Sequence, residues 1–253
     1  LFMKRLTLFS LLISTVLLLP TNMLAKVTLQ SATRIEVNAT YDSLVNPDMQ
    51  SLMDGYQQKL SEAVNRQIGT SDCLMTASAP ESLLSNLLAD LLLNQANCLS
   101  AQPMDMAILN LGGIRAPLKK GPITVGVIYK IMPFENELVL LTMTGTDLKA
   151  IFNHIAASGG EGLAGATLSI KAGKAERILI GNQPLDETKQ YLVATMDYLA
   201  AGNSGMTAFL KAVKRTDTQL KVRDCYIQQI EQLTAKGQTV TASLDDRIRV
   251  LAD

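Results

Sequence analysis

Apolar residues along this chain repeat with two periods, and the changes between them mark out its elements. From Val27 to Val37 apolar and polar positions alternate in a β-rich stretch, which predicts a strand. After Pro47 the spacing lengthens. Met49, Leu52, Met53, Tyr56, Leu60 and Val64 recur at helical intervals with polar residues between them, as in an amphipathic surface helix. Ser78-Ala79-Pro80-Glu81 reads as a capping box with proline inside the first turn. Behind it, Leu83, Leu84, Leu87, Leu88, Leu91 and Leu92 cover a face wide enough for a largely buried helix.

The same alternation of periods continues to the C-terminus. Met106 to Leu109 predicts a short apolar strand, and Leu138 to Thr142 another, followed by a turn at Gly145. Leu148, Ile151, Phe152 and Ile155 mark a helix that Ser158-Gly159-Gly160 ends. Arg177 to Ile180 and Tyr191 to Thr195 read as two strands, with Gly181-Asn182-Gln183-Pro184 turning between them. Val222, Tyr226, Ile230 and Leu233 predict a last helix before Gly237, and Ile248 to Leu251 a closing strand. No repeat and no Pro/Ser linker interrupts this order. The predicted fold class is therefore α+β, with mixed sheets and packed helices.

The first residues obey a different rule. Lys4 and Arg5 precede an uncharged apolar run from Leu6 to Leu19, then Pro20 and a small residue at Ala25, the order of a secretory signal peptide. The run is too short for a spanning helix, which needs about 20 apolar residues. The expectation is a removed signal at residues 1–25 and one exported domain at 26–253, periplasmic or extracellular, with no stable membrane insertion. Lys plus Arg number 23 against 23 for Asp plus Glu, so bulk charge attracts neither nucleic acid nor an anionic membrane. Cys73, Cys98 and Cys225 allow at most one internal disulfide, or all three serve as small buried apolar residues.

Candidate chemistry is narrowed first by what is missing. His154 is the only histidine, set three residues after Ile151 on a predicted helix, where a structural or exposed role is expected. One imidazole supplies neither a multi-histidine metal site nor a Ser-His-Asp apparatus with a spare orienting histidine. No phosphate loop ending in Gly-Lys-Ser/Thr and no Cys-x-x-Cys is present. No catalytic residue and no metal ligand is expected in this chain, and no cofactor of its own.

What remains is a vocabulary for binding. Gly112 and Gly113 after a strand either let the backbone come close to something or take positive φ. Arg115 presents a planar fork of donors to a phosphate, a carboxylate or a base edge. Asn110 suits a base edge, or closes an Asx turn.

Several ordered motifs then resemble the C-terminal domain of the 5′-nucleotidase family. They are Asn110-Leu-Gly-Gly-Ile-Arg115, Gly121-Pro-Ile-Thr124, Met132-Pro-Phe134-Glu-Asn136-Glu-Leu138 and Thr144-Gly145-Thr-Asp-Leu148. Further on come Tyr191-Leu-Val-Ala-Thr195 and Asp197-Tyr198-Leu-Ala-Ala-Gly202-Asn-Ser-Gly205. Upstream, Glu81-Ser82 and Asn86-Leu87-Leu88-Ala89-Asp90 resemble the family's helix after its ligand arginine. The resemblance implies a domain that grips a nucleotide while a separate N-terminal domain holds two metal ions and hydrolyses the phosphoester. It places Phe134 and Tyr198 as the rings that stack the base, Asn110 at the base edge and Arg115 on the phosphate side. Gly112, Gly113, Asn203 and Ser204 would shape the pocket. Simple core packing is the competing role for the two rings.

Two departures weaken the implied grip. Ser78 stands where the family carries a second arginine. Ser204 stands where it carries the Asp that receives the ribose hydroxyls, which leaves Asn203 as a partial substitute. Two functions follow from these residues. One is the nucleotide- or nucleoside-binding part of a split 5′-nucleotidase, in which a separate metallophosphoesterase supplies the divalent metals and the hydrolysis. The other is a non-catalytic exported module for a nucleoside or another flat aromatic ligand.

Overall fold

A computed structural model describes residues 29–41 and 46–252. The signal peptide expected over residues 1–25 lies outside them. Contacts divide the chain into two units, Leu1–Ser51 and Leu52–Asp253.

Of the strand expected from Val27 to Val37, Val27 and Thr28 lie outside the described residues, and the described part, residues 29–37, forms no strand. Residues 29–38 carry no regular element, and a short 3-10 turn follows at Ala39–Tyr41. An alternating segment becomes a strand only when a neighbour takes up its N–H and C=O groups. Among the described residues no ladder pairs with this one, and Leu29, Ile35 and Val37 stay exposed.

Helix α1, Pro47–Asn65, forms as the spacing predicts and crosses the boundary between the units. From Leu52 onward its apolar side chains Leu52, Met53, Tyr56 and Leu60 are exposed. Val64 alone turns inward. A Cβ at Gly126 would lie 3.0 Å from the Val64 carbonyl oxygen, so glycine there permits the close approach.

The second unit is built on three sheets. Strands β1 (Gln67–Ser71) and β3 (Gly121–Thr124) form an antiparallel pair. The central sheet has the order β10-β4-β9-β2-β5. Its strands are β2 (Met106–Leu109), β4 (Glu137–Thr144), β5 (Gly162–Ala164), β9 (Gln190–Met196) and β10 (Lys214–Lys221). The pair β2 and β9 runs parallel and its other pairs antiparallel, which makes the sheet mixed. The third sheet is β11-β6-β7-β8, with β6 (Ala166–Lys171), β7 (Lys174–Ile180), β8 (Gln183–Pro184) and β11 (Ile248–Val250).

Helices cover these sheets. Helix α2, Leu83–Leu99, packs on β2, β5 and β9 and against the last helix, α6 (Val222–Ala235). Helix α4, Gly145–Ala157, packs on β4, β6 and β7. Two short helices, α3 (Val125–Ile131) and α5 (Asp197–Ala200), sit beside the central sheet's loops. Leu84, Leu88 and Leu92 of α2, Ile108 of β2, Val139 of β4 and Phe152 of α4 are fully buried in one core. Burying such a side chain contributes about 1.5–3 kcal/mol.

Three local expectations are corrected. Helix α2 starts at Ser82, not Ser78: Ser82 Oγ accepts from the Ser85 N–H while Ser85 Oγ accepts from the Ser82 N–H, which makes a capping box one turn later. Ser78 contributes its own N–H to Ser82 Oγ at 3.1 Å. Gly145 is the first residue of α4 rather than a turn, with Thr144 as its cap. Only glycine fits there, because a Cβ would meet the Asp186 carbonyl oxygen. The strands at Arg177–Ile180 and Tyr191–Thr195 are no hairpin, since β7 and β9 belong to different sheets.

The three cysteines are free thiols: Cys225 is buried, Cys73 half-buried and Cys98 exposed.

Candidate ligand-binding site

Sheet order brings the candidate residues to one place. Strands β2 and β9 run parallel, with Ala107 opposite Ala194, and β4 runs antiparallel to β9, with Leu138 opposite Met196. The C-terminal ends of β2 and β9 and the N-terminal end of β4 therefore meet at one edge of the sheet. Asn110 leaves β2 there, Tyr198 follows β9, and Phe134 and Asn136 lead into β4. A cleft of about 300 Å3 opens at this edge, lined by Asn110, Gly112, Gly113, Arg115, Phe134, Asn136, Tyr198 and Ser204.

Both rings are half-exposed, Phe134 at 45% and Tyr198 at 41%, so neither serves as core packing. They come from different elements, the loop between α3 and β4 and the second residue of α5.

Asn110 enters a 3-10 turn, Leu111–Gly113, and makes no side-chain capping bond, so the Asx turn does not form. The residue is only 7% exposed, and its Oδ1 has no hydrogen-bond partner. A buried acceptor without a donor is costly, about 1–3 kcal/mol. Neither glycine of the pair takes positive φ, and of the two only Gly113 is closely approached. A Cβ at Gly113 would sit 3.2 Å from Asn110 Oδ1, and one at Gly112 3.4 Å from its Nδ2. Arg115 is exposed. Its N–H donates to the Ile131 carbonyl at 2.8 Å, and Nη1 donates back to the Gly112 carbonyl at 3.3 Å.

The loop after α5 completes the rim. Gly202, Ser204 and Gly205 take left-handed φ of 80°, 54° and 77°. His154 fixes this loop: its Nε2–H donates to the Ser204 carbonyl at 2.7 Å. A Cβ on Gly205 would strike the His154 ring at 2.4 Å. The lone histidine therefore has a structural role. Asn203 is not among the lining residues; its Nδ2 donates to the Tyr198 carbonyl at 2.9 Å and ties the loop to the ring-bearing helix. Ser78 also lies outside the lining.

Two residues here were not singled out from sequence. Asn136 lines the cleft two positions after Phe134, and its Nδ2 reaches Met196 Sδ at 3.4 Å; its place in the Pro-Phe-Glu-Asn stretch was the available signal. Glu161 accepts from the Leu111 N–H beneath the glycine turn. Burial pushes its carboxyl above the usual carboxylate range, against the opposing pull of the Leu111 N–H and of His154. No local pattern in sequence marks it.

A larger cleft, about 400 Å3, lies over β4 and β10 beside Leu99, Gln102, Met104 and Lys214. It carries no aromatic ring and no unpaired buried group. The smaller cleft holds the recognition chemistry, and for that reason it is the candidate site. Among the described residues, no three His, Cys, Asp or Glu side chains converge as metal ligands would, and no helix is long and apolar enough to cross a membrane.

Two rings, two amides and one arginine around a single cleft of a mixed α+β unit make that cleft the candidate binding site. The kind of domain follows from comparison: the family model for the 5′-nucleotidase C-terminal domain matches residues 67–211, more than half of the chain, and the chain belongs to that family. The trifunctional nucleotide phosphoesterase protein YfkN of Bacillus subtilis is 26% identical over 227 residues, which cover 81% of this chain and 15% of that protein. Protein UshA of Escherichia coli is 26% identical over 195 residues, 74% of this chain and 35% of UshA. Among solved structures, a 5′-nucleotidase precursor from Thermus thermophilus superposes with a TM-score of 0.70 at 26% identity, over 81% of this chain and 43% of that one. The chain thus spans less than half the length of each of these relatives.

Proposed function

We propose that the cleft binds a nucleoside or nucleotide, with Phe134 and Tyr198 stacking the base, Asn110 reading its edge and Arg115 meeting an anionic group. One observation carries this: two half-exposed rings from separate elements line a single cleft that also holds an acceptor buried without a partner. Base–aromatic stacking contributes about 1–3 kcal/mol per base and tolerates any base, because each offers a π face. An N–H on the base edge would relieve the orphaned Asn110 Oδ1.

Hydrolysis belongs elsewhere in this proposal. Two-metal phosphoester cleavage needs a cluster of His, Asp and Asn ligands. A chain with one histidine, itself committed to the Ser204 loop, does not fit such a centre. We therefore place the divalent metals on a separate metallophosphoesterase that acts with this exported domain in nucleotide catabolism. The names of YfkN and of the Thermus protein support a nucleotide ligand. A free-standing nucleoside module is the second possibility. It is favoured by the lining itself, in which Arg115 is the single cation and no carboxylate is present to receive ribose hydroxyls.

Titration calorimetry with AMP and adenosine separates the two. Tighter AMP binding, lost in Arg115→Ala, supports phosphate recognition and the split enzyme, while equal affinities support the nucleoside module. Phe134→Ala should weaken either ligand by about 1–3 kcal/mol. Absence of heat with both ligands sinks the nucleoside assignment for this chain alone.

A further inference from the structure

The loop that carries Phe134 is gripped from below by the start of α6. Three successive residues there take up four successive loop carbonyls. Arg223 Nη1 donates to the Pro133 and Phe134 carbonyls, each at a long 3.5 Å. Lys221 Nζ donates to the Glu135 carbonyl at 3.0 Å, and the Val222 N–H to the Asn136 carbonyl at 2.8 Å. Charges reinforce the grip: Lys221 pairs with Glu137 at 2.8 Å, and Arg223 Nη2 pairs with the Glu135 carboxylate.

Arg223 is the unusual member of this set. It is only 5% exposed, its guanidinium lies 3.8 Å from the centroid of the Tyr129 ring, and its Nε has no partner. A buried guanidinium with an unmet donor is expensive, and a helix start does not need one. Its guanidinium donates to Pro133, Phe134 and Glu135, all on the loop bearing the ring. Planar and forked, it reaches two carbonyls and a carboxylate at once, which a lysine ammonium cannot reproduce. We propose that Arg223 is a positioning residue for the base-stacking clamp: by tying residues Pro133 to Glu135 to a guanidinium that is itself stacked on Tyr129, it sets the place of the Phe134 ring before ligand arrives. Pre-ordering of this kind raises affinity by removing the loop-ordering entropy from the binding step.

The consequence for ligand rests on the nucleoside assignment of the cleft, so the test includes a ligand-free readout. The full chain is labelled with 4-fluorophenylalanine, and the Phe134 resonance is assigned by its loss in Phe134→Leu. In Arg223→Met that resonance should narrow and move toward the position of the free amino acid, while those of buried Phe152 and Phe209 stay in place. Adenosine affinity should fall by about ten-fold in Arg223→Met and by less in Arg223→Lys. Arg223→Met combined with Phe134→Leu should bind no more weakly than Phe134→Leu alone, because both remove the same contact. A Phe134 resonance unmoved in Arg223→Met overturns the proposal, as do fully additive losses in the double variant. Should Arg223→Met fail to fold, Arg223→Lys carries the same comparisons with the charge retained. Wild-type protein that binds no adenosine refutes the ligand assignment, and the ligand-free spectrum then decides the role of Arg223.

Discussion

Burial separates three cysteines that sequence leaves equivalent. Cys98 is exposed, whereas Cys225 lies on the buried face of α6, where burial pushes its thiol up to about 12. Thiolate is the reactive form, so a thiol-specific reagent added to native protein should label Cys98 rapidly and Cys225 only after denaturant is added. Mass analysis of the labelled peptides checks this, and prompt labelling of Cys225 would contradict its burial. Residues of the cleft differ in how far sequence reveals them. Asn110, Arg115, Phe134 and Tyr198 stand in ordered motifs, so they were nameable from sequence, and the structure brings them together. The reason for the glycine pair was not legible. Positive φ and close approach look the same in sequence, and the structure shows positive φ at neither glycine and a tight approach to the Asn110 amide at Gly113. Glu161 and Arg223 were invisible because their partners lie 50 and about 90 residues away in the chain.

At the scale of elements, apolar periodicity succeeded where one side of an element is buried. Helix α2 follows its leucines, and α4 and α6 follow theirs. Strand β10, Lys-Arg-Thr-Asp-Thr-Gln-Leu-Lys, was not expected, since an edge strand largely open to solvent needs no apolar alternation. Its place is set by the ladder to β4. The converse error fell on residues 29–37, which have the alternation but no pairing strand among the described residues. Helix boundaries were decided by caps. Ser82→Ala should destabilise the unit by about 1 kcal/mol, and Ser78→Ala by distinctly less, in urea denaturation. Equal losses would argue against a helix start at Ser82.

At the scale of the whole molecule, long-range polar contacts fasten the C-terminal segment to the start of α2. Arg247, 9% exposed, donates to Asp90 at 2.7 Å, to Asp245 at 2.8 Å and to the Leu163 carbonyl at 2.9 Å. Asn86 donates to the Ser243 carbonyl at 2.9 Å, and Glu81 accepts from the Asp245 N–H at 3.0 Å. Hydrogen bonding to Arg247 holds the Asp245 carboxyl below the usual carboxylate range. A lowered folded value means that this stabilisation is complete above the unfolded Asp value of about 3.9 and is lost as pH falls through the folded one. Arg247→Met should therefore cost about 2 kcal/mol at neutral pH, discounted for the half-exposed carboxylates, and should flatten the loss of stability below about pH 4. Urea melts across pH 2.5 to 7 test both, and an unchanged acid slope would remove Asp245 from the account. Sequence by itself determined the α+β class, most of the helices, the family and the chemical vocabulary of the cleft, because local periodicity and ordered motifs are written in neighbouring residues. Only the tertiary structure decided strand order, which rings stand free of the core, which glycines are steric and which buried cation holds the Phe134 loop. Each of those depends on contacts between segments far apart in the chain, whose free energy no local pattern records.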